Sequence, residues 1–216
     1  ISKKEELLQD DFIAYINEKS LEICGVKNIY REDKMAIRNF GFQNIYSTYS
    51  NSEEGTINTG KLISELYQKA TNIGILSLYG IEVKTFESNG KEVFLETNFG
   101  EFKSANSIIC TNGFAKQFLD DDIQAARAQV LITKPISDLK IKGSFHYDAG
   151  YYYFRNIENR VLFGGGRNLN FEREATDKFG TSEDIQDSLL QLLKTVILPT
   201  TLFEIDYSWS GIMGIG

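Results

Sequence analysis

The residues best suited to chemistry lie between Phe145 and Arg167, in FHYDAGYYYFRNIENRVLFGGGR. Two apolar-aromatic runs, AGYYYFR and RVLFGGG, flank the polar break NIEN, and this pattern predicts a β-hairpin. Side chains alternate along a strand, so Tyr151, Tyr153 and Arg155 share one face while Tyr152 and Phe154 share the other. Two phenols and a guanidinium each need a partner if they are buried. Such a face suits a wall over a flat polar ligand or an anion. The plainer alternative is an amphipathic hairpin whose tyrosines stand half in water.

A second constellation is Thr111-Asn112-Gly113. It follows the apolar run Ser107-Ile108-Ile109-Cys110, read as a short strand, and precedes a short helix expected from about Phe114 to Leu119. Glycine there would let a ligand approach the backbone, and a helix N-terminus favours negative charge. The trio Gly164-Gly165-Gly166 before Arg167 reads either as a bulge admitting a ligand's edge or as a strand end. No G-x-G-x-x-G opens a helix after a strand, so a complete dinucleotide site is not encoded. His146 is the single histidine, which excludes histidine-rich metal centres and a second catalytic histidine. No metal site is expected, and Asp148 is expected to pair with His146 structurally. The acidic pair Glu53-Glu54 reads as a solvated turn rather than a glycosidase dyad.

The elements that must position these groups are legible in outline. Ser2 is expected to cap a helix that runs to about Cys24, with Gly25 as its stop. Residues 26–52 read as mixed, with Arg31, Glu32, Asp33 and Lys34 in a solvated loop. A helix is predicted from Thr59 to about Ile73, with Leu62, Ile63, Leu66 and Ala70 on one face and Gly74 at its end. A three-stranded meander follows over 81–87, 91–98 and 100–104, turning at Ser88-Asn89-Gly90 and Asn98-Phe99-Gly100. Strand patterns recur at 126–135 and 203–211. Between the hairpin and the last strand, Ser182 to Val196 forms an amphipathic helix with Ser182 suited to its N-terminus.

Composition is that of a globular protein of 216 residues, 42% apolar and 25% charged. A net charge of -7 with no basic stripe argues against nucleic acid. No apolar run reaches the roughly 20 residues that span a bilayer, and no signal-peptide pattern is present. The two cysteines, Cys24 and Cys110, are far apart in sequence; Cys110 is expected to be a buried thiol, in keeping with a reducing, cytoplasmic setting. The chain begins with Ile1 and stops at GIMGIG, as an excised fragment would.

Taken in order, EEGTINTGKL, IEVKTFE and SANSIICTNGFAKQFL resemble the middle of the flavin-binding domain of the D-amino-acid-oxidase-type FAD-dependent oxidoreductases. ARAQVLITKP, GYYYFR, VLFGGGR and YSWSGIMGIG resemble that family's substrate domain and its return to the flavin. The resemblance covers most of 53–216. It implies a mixed α/β and α+β chain: a partial Rossmann-like FAD domain joined to an antiparallel-sheet substrate domain with helices. The implied division is 1–52 and 123–205 for the substrate part, 53–122 for the middle of the FAD domain and 206–216 for the return to it.

The resemblance further implies that Val83 lies near the adenine end of FAD through its backbone. Thr111, Asn112 and Gly113 would lie near the phosphate and ribityl region, and Trp209, Ser210 and Gly211 would border the isoalloxazine. Tyr151, Tyr153 and Arg155 become the substrate wall, and Arg167 is a second-layer or substrate-anion candidate. The pyrophosphate-binding N-terminal unit and the C-terminal closing segment are missing, which implies weak or no FAD retention by this fragment. Amino-acid-oxidising members often carry an arginine where this chain has Met213, and a thioether cannot clamp a carboxylate. Either Arg155 takes the anion, or the substrate is an amine without an α-carboxylate. The implied activity is oxidation of an amine or amino acid at its C–N bond by hydride transfer to flavin. The alternative is a non-catalytic domain whose tyrosine hairpin holds a ligand or partner. Surface left uncovered by missing strands would favour a homodimer of the fragment.

Overall fold

The computed structural model describes residues 9–120 and 122–216. Ser2, the expected cap of the first helix, lies outside them. The chain is a mixture of helices and antiparallel sheets and divides into two compact units. One comprises the residues up to Thr56 together with Arg127–Gly211; the other comprises Ile57–Ala126 with Ile212–Gly216.

The first unit is built on a five-stranded sheet. Its strands are β6 (Gln124–Thr133), β7 (Ser144–Tyr147), β8 (Tyr152–Ile157), β9 (Arg160–Gly165) and β10 (Ile205–Ile215), in the order β10-β6-β9-β8-β7. The expected hairpin is β8–β9, antiparallel from Tyr152↔Gly165 to Ile157↔Arg160. β7 adds a third strand that pairs Phe145 with Phe154 and His146 with Tyr153. Alternation then separates two faces. Tyr152, Phe154, Val161 and Phe163 are buried. They meet Ile185 and Leu189 from α5 (Glu183–Leu192), which follows the single-turn α4 (Phe171–Glu174), and Leu193 from the π-helical turn Leu193–Ile197 that prolongs α5. Aromatic packing tightens this layer, with Phe145 stacked on Phe154 at 4.7 Å and Phe163 edge-on to Phe154 at 6.0 Å.

The segment read as a solvated loop is ordered secondary structure. Tyr30–Glu32 form β1, which pairs with β2 (Tyr49–Asn51), and Asp33 caps α2 (Lys34–Phe40) by accepting from the backbone N–H groups of Met35 and Ala36. The charged residues conceal a cap-then-helix signature, because Asp33 satisfies donors that the first turn would otherwise leave free. α1 (Gln9–Cys24) ends at left-handed Gly25, and its Asn17 exchanges two side-chain hydrogen bonds with the Tyr30 backbone.

The second unit holds α3 (Thr59–Asn72) and the predicted meander of β3 (Val83–Ser88), β4 (Val93–Thr97) and β5 (Gly100–Ser104), in that order. Asn58 caps α3 through the Lys61 N–H, and Gly74 adopts a left-handed φ of 88° beyond its end. No residue of α3 is buried; Leu62, Ile63 and Leu66 all stand exposed. Ser107–Cys110 is not a strand, since no described strand is registered with it. Cys110 is correspondingly exposed rather than buried. An apolar run becomes a strand only where a neighbouring strand can satisfy its backbone, and here that neighbour is lacking among the described residues. The expected helix after Gly113 is a six-residue 3-10 turn, Asn112–Gln117, too short to carry a helix-terminal anion site.

Candidate active site

In the first unit the open face of the five-stranded sheet carries Tyr153 and Arg155, with Tyr151 just before β8. Tyr151 and Tyr153 are exposed to 43% and 36%. The cross-strand row through Tyr153 runs His146, Tyr153, Gly164, Val130. Gly164 is required there: a Cβ would sit 2.5 Å from Val130 Cγ1 and 2.7 Å from Tyr153 Cε2. The phenol ring thus lies down over a gap left in the neighbouring strand. Partial burial raises the Tyr153 phenol pKa, so the hydroxyl stays protonated across the physiological range. The glycine trio is therefore a strand end shaped around rings, with Gly165 in β9 and Gly166 left-handed at φ 77° after it.

His146 faces Tyr153 across the β7–β8 pair and is exposed. No hydrogen bond joins it to Asp148, which is left-handed at φ 53° in the following turn, so the expected pairing is not formed. Asp148 instead accepts from the Tyr151 N–H through its backbone carbonyl, at 2.9 Å. Arg167 opens a 3-10 turn, Arg167–Leu169. Its guanidinium lies 5.0 Å from the Phe171 ring centroid, and Tyr151 meets the same ring at 6.0 Å. Trp209 stacks on Tyr207 at 5.6 Å along β10, and Ser210 Oγ accepts from the Gly180 N–H at 3.0 Å. Nothing stands within 4 Å of where a Gly211 side chain would begin.

The second unit brings Asn112, Gly113 and Met213 together. Asn112 adopts a left-handed φ of 49°. Its amide donates to the Ile212 carbonyl at 3.3 Å and accepts from the Gly214 N–H at 2.8 Å. The Met213 carbonyl oxygen would lie 2.6 Å from a Cβ on Gly113, so only glycine admits this approach. Gly113 thus serves a backbone contact within the chain. The Met213 residue is 40% exposed. Val83 begins β3, an edge strand whose outer backbone groups face away from β4.

The sequence profile of the FAD dependent oxidoreductase (DAO) family matches residues 26–215. The chain belongs to that family. Among solved structures, L-proline dehydrogenase from P. horikoshii is 17% identical with a TM-score of 0.72, covering 94% of this chain and 57% of that one. Glycine oxidase from Bacillus cereus is 13% identical with a TM-score of 0.76, covering 95% of this chain and 57% of the other. Glycine oxidase from Geobacillus kaustophilus is 17% identical with a TM-score of 0.76, covering 99% and 57%. The chain thus spans a little over half the length of these relatives, which share its fold. No curated protein matches it.

Membership of the DAO family names FAD as the cofactor, and one feature of the chain accords with it. Thr111 Oγ is buried without a hydrogen-bond partner among the described residues, at the head of the Asn112–Gln117 turn. A buried hydroxyl left unpaired is costly and is satisfied if a ligand oxygen or nitrogen reaches it. Thr111 and the outer edge of β3 at Val83 are the groups of the second unit suited to hold such a cofactor.

Three features escaped the sequence reading. Phe171 lies under the Arg167 guanidinium as described, and Asn168 follows Arg167 in the 3-10 turn with its Oδ1 buried and unpartnered among the described residues. The third is a buried network on the first unit's sheet: Glu174 Oε2 and Oε1 accept from Arg127 Nε at 2.8 Å and Nη2 at 2.9 Å, and Gln129 and Ser182 also donate to this carboxylate. Ser182 makes no side-chain cap on α5 because its hydroxyl is used here. The one signal was Gln129, a polar residue at an inward phase of the alternating run ARAQVLI. Burial alone would raise the Glu174 pKa, but the hydrogen bonds from Arg127 and Gln129 and the Arg127 charge hold it down at about 2.

Proposed function

We propose that this chain forms the substrate-facing part of a flavoenzyme that oxidises an amino acid or amine at its C–N bond. The observation that carries the reading is the face of β8 on which the Tyr153 ring lies over the gap left by Gly164 with Arg155 two residues on, and Tyr151 just before the strand. The dehydrogenase and oxidases that share its fold are named for proline and glycine, and this supports a small amino-acid substrate. When bound, FAD supplies a two-electron acceptor for the hydride on the carbon that bears the amine, leaving an imine that water hydrolyses. Tyr151 and Tyr153 orient the substrate through neutral hydroxyls and exclude water with their rings. Arg155 supplies fixed positive charge on the same face. Trp209, Ser210 and Gly211 border the site, Gly211 leaving room for a flat ring. Within the second unit, Thr111 and Val83 would hold the cofactor.

The test is anaerobic mixing of the complete protein with a panel of amino acids and amines, watching flavin absorbance. Bleaching by at least one of them is expected. Arg155→Ala should abolish bleaching while FAD stays bound. A complete protein that carries no flavin, or whose flavin no amine reduces, removes the reading.

A further inference from the structure

We infer that Glu174 is a positioning residue for the candidate site: gripped by Arg127, Gln129 and Ser182, it fixes the turn that carries Phe171, and through that ring it sets where the Tyr151 phenol stands. This rests on the reading of Tyr151 as part of the substrate wall.

The connection from β9 to α5 is held in an unusual way. Among the described residues from Arg167 to Asp184, only Glu174 is buried. The large apolar side chains of that stretch, Leu169, Phe171 and Phe179, are all exposed. A one-turn helix such as α4 has too few hydrogen bonds to hold itself. What attaches it to the sheet is the Glu174 carboxylate. Arg127 of β6 donates to both of its oxygens, and Gln129 of the same strand donates to Oε2 at 3.0 Å. Ser182, just before α5, donates to Oε1 at 3.2 Å, and its N–H donates to Gln129 Oε1 at 2.9 Å. The far end of the connection thus closes on the same group. Arg173 also reaches Asp184, but those side chains are 40% and 50% exposed, and pairs that stand in water hold little.

Apolar burial is non-directional. A carboxylate accepting from a planar guanidinium fork fixes angle as well as distance. That direction is passed along one turn. The Glu174 N–H donates to the Asn170 carbonyl at 3.1 Å, and Asn170 Oδ1 accepts from the Arg173 N–H at 3.0 Å, so residues 170–174 move as one piece. Phe171 opens this piece, and its ring meets Tyr151 at 6.0 Å and the Arg167 guanidinium at 5.0 Å. Tyr153 takes its seat from Gly164 inside the sheet, whereas Tyr151 stands before β8 and the ring it meets belongs to the turn.

Fluorine NMR of the complete protein, labelled with fluorotyrosine, follows each phenol separately. The Tyr151 and Tyr153 signals would be assigned from Tyr151→Phe and Tyr153→Phe. Glu174→Gln keeps the shape and loses the charge that the Arg127 fork grips. It should shift the Tyr151 signal and leave the Tyr153 signal and the bound-flavin absorbance unchanged. Arg127→Lys keeps the charge and loses the fork, and should do the same. Phe171→Leu, at an exposed position, should shift the Tyr151 signal by itself, and adding Glu174→Gln to it should shift that signal no further. Ser182→Ala removes one donor only and should give a smaller shift in the same direction, so it serves as the readout if the other network variants do not fold. A Tyr151 signal unmoved by the network variants or by Phe171→Leu, or Tyr151 and Tyr153 signals displaced together, would overturn the inference. Amine-driven bleaching with no Tyr151 displacement would sink the inference alone. A selective displacement in a protein whose flavin no amine bleaches would remove the oxidation reading and leave the Glu174 anchor standing.

Discussion

Glu174 is the residue whose environment differs most from water. Its carboxylate is fully buried and meets Arg127, whose side chain is only 12% exposed. Removing one partner of a buried pair strands the other, so Glu174→Ala should cost about 3–5 kcal/mol, measured by urea unfolding. The pKa is depressed in the folded state, so the unfolded chain binds the proton more readily. The stabilisation is complete above the ordinary value of 4.5 and is lost as pH falls from there through about 2. Acid unfolding of the unaltered chain should steepen in that window, and Glu174→Gln should flatten it. Gly164 is the second sensitive position. An alanine there must displace Val130 or the Tyr153 ring, for an overpacking cost of about 1–3 kcal/mol, and calorimetry should show a lowered Tm.

At the scale of elements, the β8–β9 hairpin is held by register and by an imperfect turn. Glu158 occupies a left-handed φ of 53°, which a side chain adopts at a cost of about 1–2 kcal/mol. Glu158→Gly should therefore raise the Tm, as glycine removes that strain for a smaller entropy loss. This hairpin, its alternation and the meander were readable in advance, because period-two patterning and Asn/Gly turns are local signals. What the sequence hid was non-local. β7 is short, and its partner is set by Phe145 meeting Phe154, which no spacing reveals. α2 was concealed because Arg31 to Lys34 look like solvated charge, although Asp33 is a cap. The run at Ser107–Cys110 has the composition of a strand, but a strand needs a neighbour that composition does not supply. At the candidate site, alternation placed Tyr151, Tyr153 and Arg155 together, whereas the seat of Arg167 on Phe171 depends on a turn geometry written only in three dimensions.

Across the whole molecule, apolar surface is distributed unequally. The first unit packs Phe42, Tyr152, Phe154 and Phe163 into one core, with a cavity of about 50 Å³ between Phe42, Phe154 and Val196, although Phe12, Phe179 and Tyr207 stay exposed. The second leaves Ile73, Leu76, Tyr79 and Ile108 each more than three-quarters exposed. Large apolar side chains left this open to water favour association. The isolated chain is therefore expected to self-associate as concentration rises, read by light scattering. Leu76→Glu with Ile108→Glu should shift it towards monomer, and a mass independent of concentration in the unaltered chain would count against the expectation. No described helix is long and apolar enough to cross a membrane.

The two thiols deserve a practical use. Cys24 and Cys110 are both free and solvent-accessible, and they fall one in each compact unit. Maleimide dyes can thus be attached to the unaltered sequence, giving a donor on one body and an acceptor on the other. Energy transfer between them would report how the separation of the two bodies responds when flavin or an amino acid is added.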